Sequence, residues 1–386
     1  MAKNDLSWIH SEASRRAKSA LAVALSFAIL LGSAGFVAWK GYEYYMDWRQ
    51  QEDYIGEGRD SVQVRIPKGA SPGQVADLCV AANVIKDARV FEQTFAEMEQ
   101  AADTNGQTKP MFQYGTYNLK TELPAATAIA MLLDPANRVI SRITIPEGLR
   151  WTEIASIISE KGHVSGLLVD DLYASIQLDP SIIGLNPAAG NNPEGFLFPD
   201  TYVVDDPVDP SDLLTQMTKE FDDVAADLDL TGKAAALGIT PYQAVIIASI
   251  IEKEVFRDED RPKAARVIYN RLFVQDPPMR LQMDSTVNYG LSRTGLANLD
   301  EAALATDTPY NTYLHDGLPP TPISNPGREA LEAALNPAEG DWLFWVTVNL
   351  TTGETKFAST LEEHEAYVVE YQQWCSAHID DGECPT

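Results

Sequence analysis

Ala244–Glu254 reads AVIIASIIEKE, an apolar run that stops abruptly at Glu252-Lys253-Glu254. Thr240 and Pro241 precede it, and Gln243 stands three residues after the threonine. Those are the N-cap, first-position and third-position residues of a helix start, so the pattern predicts a helix over 241–256. From Ala244 to Ile251 that helix is apolar on nearly every side, so other elements must wrap it. A carboxylate at the end of such a helix is costly to desolvate, which raises its pKa. Two helical residues 100° apart per step put Glu252 and Glu254 about 200° from each other, so one cleft can receive only one of them. Spacing alone describes a helix ending in solvated charges equally well.

A core able to enclose that helix fits a chain of 386 residues, which has room for two or three compact units. Acidic residues number 56 against 29 Lys plus Arg, a formal net charge of -27. Such a surface repels nucleic acid and anionic lipid headgroups, and the only basic cluster is N-terminal. Ser19–Trp39 carries no charge and is long enough to span a bilayer. Arg15, Arg16 and Lys18 precede it, which puts residues 1–18 in the cytoplasm and everything after Lys40 outside. A cleaved signal peptide is the rival reading. The run is longer than a signal's apolar core and no small-x-small site follows, while Trp39, Tyr42, Tyr44, Tyr45 and Trp48 form an aromatic belt, so an uncleaved anchor in the cell membrane is expected. Export permits a disulfide between Cys375 and Cys384, and Cys79 falls in an apolar helical pattern as a buried thiol. No CxxC occurs and the five histidines are scattered, so neither a metal site nor a cofactor is expected.

Past a juxtamembrane linker at 40–60, the chain repeats itself. Val64-Arg-Ile-Pro-Lys-Gly69 aligns with Ile143-Thr-Ile-Pro-Glu-Gly148, and each copy predicts a short strand, a Pro-x-Gly turn and an amphipathic helix. The helices are expected at 74–82 and 152–161, with Asn83 and Gly162 as stops. Between the copies Tyr114-Gly115-Thr116-Tyr117 leads into a strand, followed by a helix at 125–133. A boundary in 134–138 separates a module at 61–138 from a larger domain at 139–386. In the larger domain helices are expected at 170–176, 210–228, 241–256, 262–273 and 328–335. Leu343–Asn349 and Thr355–Ala358 form a hairpin across Gly353, and Thr360-x-x-Glu363 caps a last helix. Strands and helices do not alternate regularly, so the class is α+β.

Gln282 and Asp284 alternate along a segment read as extended, which would point both to one face, with Asn288 and Tyr289 joining that surface. Capping of the turn into Ser285–Tyr289 explains Asp284 equally well. Tyr310-Asn311-Thr312-Tyr313 precedes Gly317-Leu318-Pro319-Pro320; a proline-rich loop with Tyr310, Tyr313 and the Asn311 amide offers flat apolar faces and hydrogen bonds suited to sugars. Glu194, in EGFLFPDTY, is a second candidate carboxylate.

AVIIASIIEKE, VIYNRL, RLQMDSTVNYG, TPYNTYLHDGLPPTPISNPG and EGFLFPDTY, in the order they stand, resemble the endolytic murein transglycosylases of the MltG/YceG-like family over roughly 62–371. The sequence departs from the family pattern at Val255, where threonine is usual, and in its C-terminal tail. The resemblance implies a membrane-anchored enzyme that cuts glycan strands of peptidoglycan internally and leaves 1,6-anhydromuramic ends, terminating strand growth alongside the cell-wall synthesis machinery. It also implies that the β-α module is LysM-like, and it places the catalytic glutamate at Glu252. Small Ala248 and Ser249, one turn earlier, leave room there for a sugar, and Glu254 is expected to pair with Arg257 or Arg261. The substrate-contacting candidates are Glu194, Gln282, Asp284, Asn288, Tyr289, Tyr310, Asn311 and Tyr313. The alternative from another class is a noncatalytic, membrane-tethered peptidoglycan-binding scaffold.

Overall fold

The computed structural model describes residues 32–33, 35–42, 53–293 and 299–378. The expected cytoplasmic segment and most of the expected span at 19–39 lie outside those residues; residues 35–42 are helical, with Phe36, Val37, Trp39 and Tyr42 exposed. Among the described residues no single helix is long and apolar enough to cross a membrane. Backbone contacts divide the chain between Val139 and Ile140.

The first unit pairs β1 (Ser61–Ile66) antiparallel with β2 (Gly115–Lys120) and packs α1 (Pro72–Ala81), α2 (Ala88–Thr104) and α3 (Ala125–Leu133) around this two-stranded sheet. Ser71 caps α1: its Oγ accepts from the Gln74 N–H at 3.3 Å, and its own N–H donates to Gln74 Oε1 at 2.9 Å. Asn83, the expected stop, takes a left-handed φ of 55° just past the helix. The sequence reading left 84–113 unassigned, yet α2 fills most of it. Asp87 caps this helix, and Phe91 and Phe95, one turn apart, enter a core with Val64, Ile66, Val75, Cys79, Tyr117 and Ile129. Burial there pushes the Cys79 thiol up to about 12, so it packs as a small hydrophobe.

The second unit opens with the second repeat. β3 (Ile140–Thr144) pairs antiparallel with β4 (Thr201–Asp205), and α4 (Trp151–Lys161) follows the turn. The two copies share more than their turn. Val64 faces Tyr117 in one strand pair, and the equivalent Ile143 faces Tyr202 in the other. Each tyrosine Oη donates to the carbonyl four residues back, Gln113 at 3.0 Å and Phe198 at 2.6 Å. Both turn glycines, Gly69 and Gly148, sit at φ +74°, a conformation that excludes most side chains.

Next come α5 (Gly166–Leu178), α6 (Pro210–Asp227) and α7 (Leu230–Ala236), which lead into α8 (Pro241–Glu254). The start of α8 is as expected: Thr240 and Gln243 cap each other at 2.9 and 3.2 Å. Every residue from Ala244 to Ile251 is buried, and each branched aliphatic among them contributes ~2 kcal/mol of transfer free energy. α9 (Arg261–Tyr269) and α12 (Arg328–Leu335) pack along α8, with α10 (Asp284–Gly290) and α11 (Glu301–Ala305) between them in sequence. The helix expected over 262–273 changes pitch: Asn270–Val274 winds as a π-helix. Asn270 Nδ2 there donates to the Gly340 and Trp342 carbonyls, which turns Arg271 toward the last hairpin. That hairpin is β5 (Phe344–Asn349) with β6 (Glu354–Ala358), joined through Gly353 at φ +69° and covered by α13 (Leu361–His378). Cys375 is disulfide-bonded, and Cys384 lies outside the described residues. Small antiparallel sheets set among helices make the fold α+β.

Candidate active site

The two glutamates at the end of α8 go to different places. Glu252 Oε2 and Oε1 accept from the Arg261 guanidinium at 3.2 and 3.3 Å, and Oε2 also accepts from the Gly327 N–H at 3.0 Å. The side chains of this pair are 6% and 7% exposed. Gly148 of the second-repeat turn covers Glu252; a Cβ there would stand 3.4 Å from its Cγ. Lys253 Nζ donates to the Gly148 carbonyl at 3.1 Å. Neighbouring Glu147 is pushed above the ordinary carboxylate range by burial and then by the charge of Glu252. The ion pairing thus reverses the expectation: Arg261 pairs with Glu252, and Arg257 with Glu259 at 3.6 Å. Arg261 starts the helix that packs against α8 and reaches the side that Glu252 faces.

Glu254 instead lines a cavity of about 420 Å³ with Arg271, Gln282, Met283, Asp284, Tyr313, Phe344, Trp345, Leu361 and His364. Burial pushes its carboxyl up, and the charge of Asp284 adds to this, while hydrogen bonds from Ser285 and Trp345 hold it back. Tyr313 Oη donates to Asp284 Oδ1 at 2.6 Å. Arg271 stacks on Phe344, 5.1 Å from the ring centre, and donates to the Leu343 carbonyl at 2.6 Å. Burial brings Arg271 down to about 10.

Three expected substrate contacts, Gln282, Asp284 and Tyr313, therefore meet around Glu254. The reason given for two of them needs correcting. The segment is not extended at Gln282, which takes a left-handed φ of 52°, and Asp284 opens α10. The kink delivers both side chains to the cavity. The Gln282 N–H donates to the Thr312 carbonyl at 3.1 Å and the Met283 N–H to Thr312 Oγ1 at 2.9 Å, so the kink is pinned to the loop that carries Tyr313.

The remaining candidates lie elsewhere. Asn311 is fully buried; its Nδ2 donates to the Leu304 and Thr306 carbonyls and its Oδ1 accepts from the Tyr313 N–H. It shapes the loop and does not line the cavity. Asn288 is buried within α10. Glu194, Tyr289 and Tyr310 form a second cluster. The buried Glu194 carboxylate accepts from the Trp151 N–H at 3.0 Å, Asn325 Nδ2 at 2.9 Å and Tyr289 Oη at 3.1 Å. Burial pushes Glu194 up to about 7 despite those donors. Arg150 lies over the Tyr289 ring, and Tyr310 Oη bonds Thr321 Oγ1 at 2.9 Å.

Sequence reasoning missed Asn325. Its Oδ1 accepts from the Gly195 and Leu197 N–H groups at 2.9 and 3.0 Å, and its Nδ2 reaches the Leu149 carbonyl at 3.0 Å as well as Glu194. One amide thus ties EGFLFPDTY, the second-repeat turn and the ISNPG segment together. The ISNPG segment is bonded to the middle of α8 through Ser249 and Ser324. Asn-Pro-Gly was visible as a turn signal, but nothing local in it announces partners this far away in sequence.

The YceG-like family model matches residues 64–370. The chain is 31% identical over 320 residues to an endolytic murein transglycosylase of Bacillus subtilis, covering 80% of this chain and 84% of that protein. It is 27% identical over 372 residues to an endolytic murein transglycosylase of Streptococcus pneumoniae, covering 90% of this chain but only 64% of that longer protein. Its fold is similar to the crystal structure of a yceG-like protein from Listeria monocytogenes, with a TM-score of 0.51 at 28% identity, over 80% of this chain and 99% of that one.

Proposed function

The chain belongs to the YceG-like family, and on that premise we propose that it is a lytic transglycosylase of peptidoglycan in which Glu254, not Glu252, carries the proton. One observation supports the choice: Glu254 shares its cavity with Gln282, Asp284 and Tyr313, whereas both oxygens of Glu252 are held by Arg261. An acid catalyst has to reach the solvent-accessible cleft and keep its proton near neutral pH. Glu254 lines a cavity and has its carboxyl raised; Glu252 stabilises Arg261 instead.

The chemistry needs one carboxyl group used twice. Protonated Glu254 donates to the glycosidic oxygen as that bond breaks, while charge builds on the muramic acid ring. The resulting carboxylate then removes the proton from the C6 hydroxyl of the same sugar, whose oxygen closes onto C1. The 1,6-anhydro ring forms without water, and Glu254 is protonated again. Burial and then the charge of Asp284 raise the Glu254 carboxyl, and the Asp284 carboxylate in the same cavity would favour a cationic sugar. Tyr313 holds Asp284, and Gln282 offers an amide to hydroxyl or acetamido groups.

The rest of the reading concerns placement. Residues 19–39 tether the enzyme to the cell membrane with its N-terminus inside; their length, lack of charge and basic flank support this. The first unit acts as the LysM-like glycan-binding module, supported by its duplicated β-α pattern. In that setting the enzyme meets new strands beside the machinery that makes them.

Mass analysis of fragments released from un-crosslinked glycan strands tests the assignment. The parent and Glu252→Gln should both yield 1,6-anhydro ends, and Glu254→Gln none. Reducing ends would make it a hydrolase. Intact glycan with every variant would favour the scaffold, and activity lost only in Glu252→Gln would return the acid to that position.

A further inference from the structure

We infer that His364 is a substrate-binding residue that reads the acetamido group of the sugar held beside Glu254. The inference rests on the reading of this cavity as the glycan site. His364 follows the Thr360/Glu363 capping box, in which the Glu363 N–H donates to Thr360 Oγ1 at 3.2 Å, so the start of α13 fixes its backbone. Its ring stacks on Phe344 with centroids 5.0 Å apart and planes at 24°, and the guanidinium of Arg271 lies over the same phenylalanine. Packing on this ring holds the imidazole in one orientation.

Held this way, the imidazole lines the Glu254 cavity, yet its Nδ1 is shielded from solvent and has no hydrogen-bond partner among the described residues. A buried, unpaired ring nitrogen is costly unless something fills the partner's place. Burial and then the nearby Arg271 charge lower its pKa, so the ring is neutral near pH 7, with one nitrogen to donate and one to accept. Leu361 and Phe344 flank it in the cavity wall. An apolar surface beside a single neutral donor–acceptor complements an acetamido group, whose methyl is apolar and whose amide both donates and accepts. The ring itself offers no charge to pair with a charged ligand group, and a bare hydroxyl would leave the apolar flank uncovered.

The experiment compares N-acetylated glycan strands with enzymatically de-N-acetylated strands of matched length. The parent should cleave the acetylated strands with a kcat/KM at least ~10-fold higher, because a site built around a hydrogen bond rejects a ligand that lacks it. His364→Ala should lose that preference, chiefly by slowing on acetylated strands. His364→Asn, which keeps a donor and an acceptor, should recover part of it. Leu361→Ala, at a site more than half exposed, tests the apolar flank without threatening the fold and should also narrow the preference. An unchanged ratio in His364→Ala would overturn the inference. Binding of the same two strand preparations to Glu254→Gln, with and without His364→Ala, settles it apart from catalysis. If that binding shows no acetyl preference that depends on His364, the inference falls whatever the activity does. If no variant cleaves but the preference is seen in binding, the inference stands and the catalytic reading falls.

Discussion

Replacing Arg261 with leucine should unfold the second unit at a much lower temperature while leaving the residue we place in catalysis untouched. Arg261 is the cation at the centre of an acidic group: both its terminal nitrogens reach Glu252, its Nε lies 3.3 Å from Asp258, and its charge opposes the shift of Glu147. The Glu252–Arg261 pair is almost fully buried. Removing one partner of a buried pair leaves an uncompensated charge and costs ~3–5 kcal/mol. For a unit of this size that lowers Tm by roughly 10 °C. Glu252→Gln should cost less, because the neutral amide still accepts from Arg261 and the Gly327 N–H. Glu254→Gln should cost almost nothing, since burial disfavours its charge already. Thermal melts of the purified proteins, followed by tryptophan fluorescence, give the ranking Arg261→Leu, then Glu252→Gln, then Glu254→Gln. If Arg261→Leu melts within ~2 °C of the parent, the pair is not the structural element that a buried-pair cost implies.

Glu194, raised by burial from 4.5 to about 7, binds more protons folded than unfolded between those values, so its share of stability is present below its unfolded pKa and lost as pH rises through about 7. Urea titrations should show roughly 3 kcal/mol of that loss between pH 4.5 and 7.5 in the parent and little of it in Glu194→Gln; an equal slope in both would exclude Glu194 as the source. Gly195→Ala should fold poorly, because φ is +89° and a Cβ would stand 2.5 Å from Pro322 Cβ and 2.9 Å from Val245 Cγ1; wild-type expression and Tm would refute this. Asn325→Ala removes the acceptor of two buried N–H groups and both contacts of its Nδ2, and should cost ~3 kcal/mol in chemical denaturation; a loss below ~1 kcal/mol would mean water replaces the amide.

The start of α8, the repeat and the last hairpin could be read in the chain because each rests on local chemistry: a capping pair, a glycine at positive φ, an alternating strand; the expected end of α8 at 256 overran the helix, which stops at Glu254. Helix α2 was equally local, with Asp87 as its cap and Phe91 and Phe95 one turn apart, and the reading passed over it. The site depended on tertiary facts. Helical periodicity establishes that Glu252 and Glu254 diverge, but which of them meets the cleft depends on where Arg261 packs and where the loop carrying Tyr313 runs. Gln282 lines the Glu254 cavity through a left-handed backbone and not the extended segment that the sequence suggests, since a left-handed glutamine leaves no mark in a sequence. His364 has no sequence signal beyond its place after the Thr360-x-x-Glu363 capping box; the hairpin beneath α13 makes it a wall of the cavity.

The two repeats show how one local design takes on different work. Their strand pairs share register, their tyrosines close the same four-residue hydrogen bond, and their turns share φ +74°. In the first copy the space beside Gly69 is open. In the second copy the space beside Gly148 is taken by Glu252, the Gly148 carbonyl holds Lys253, and the start of α4 is bound by Glu194. That turn supports the C-terminal end of α8. A side chain at position 69 meets only the strain of a positive φ, about 1 kcal/mol for alanine. The same change at 148 carries the same strain and sets the new methyl in ordinary contact with Glu252, 3.4 Å from its Cγ. The second copy therefore braces the end of α8 at the buried Glu252–Arg261 pair, which gives the charged Glu252 a structural reason to stand there.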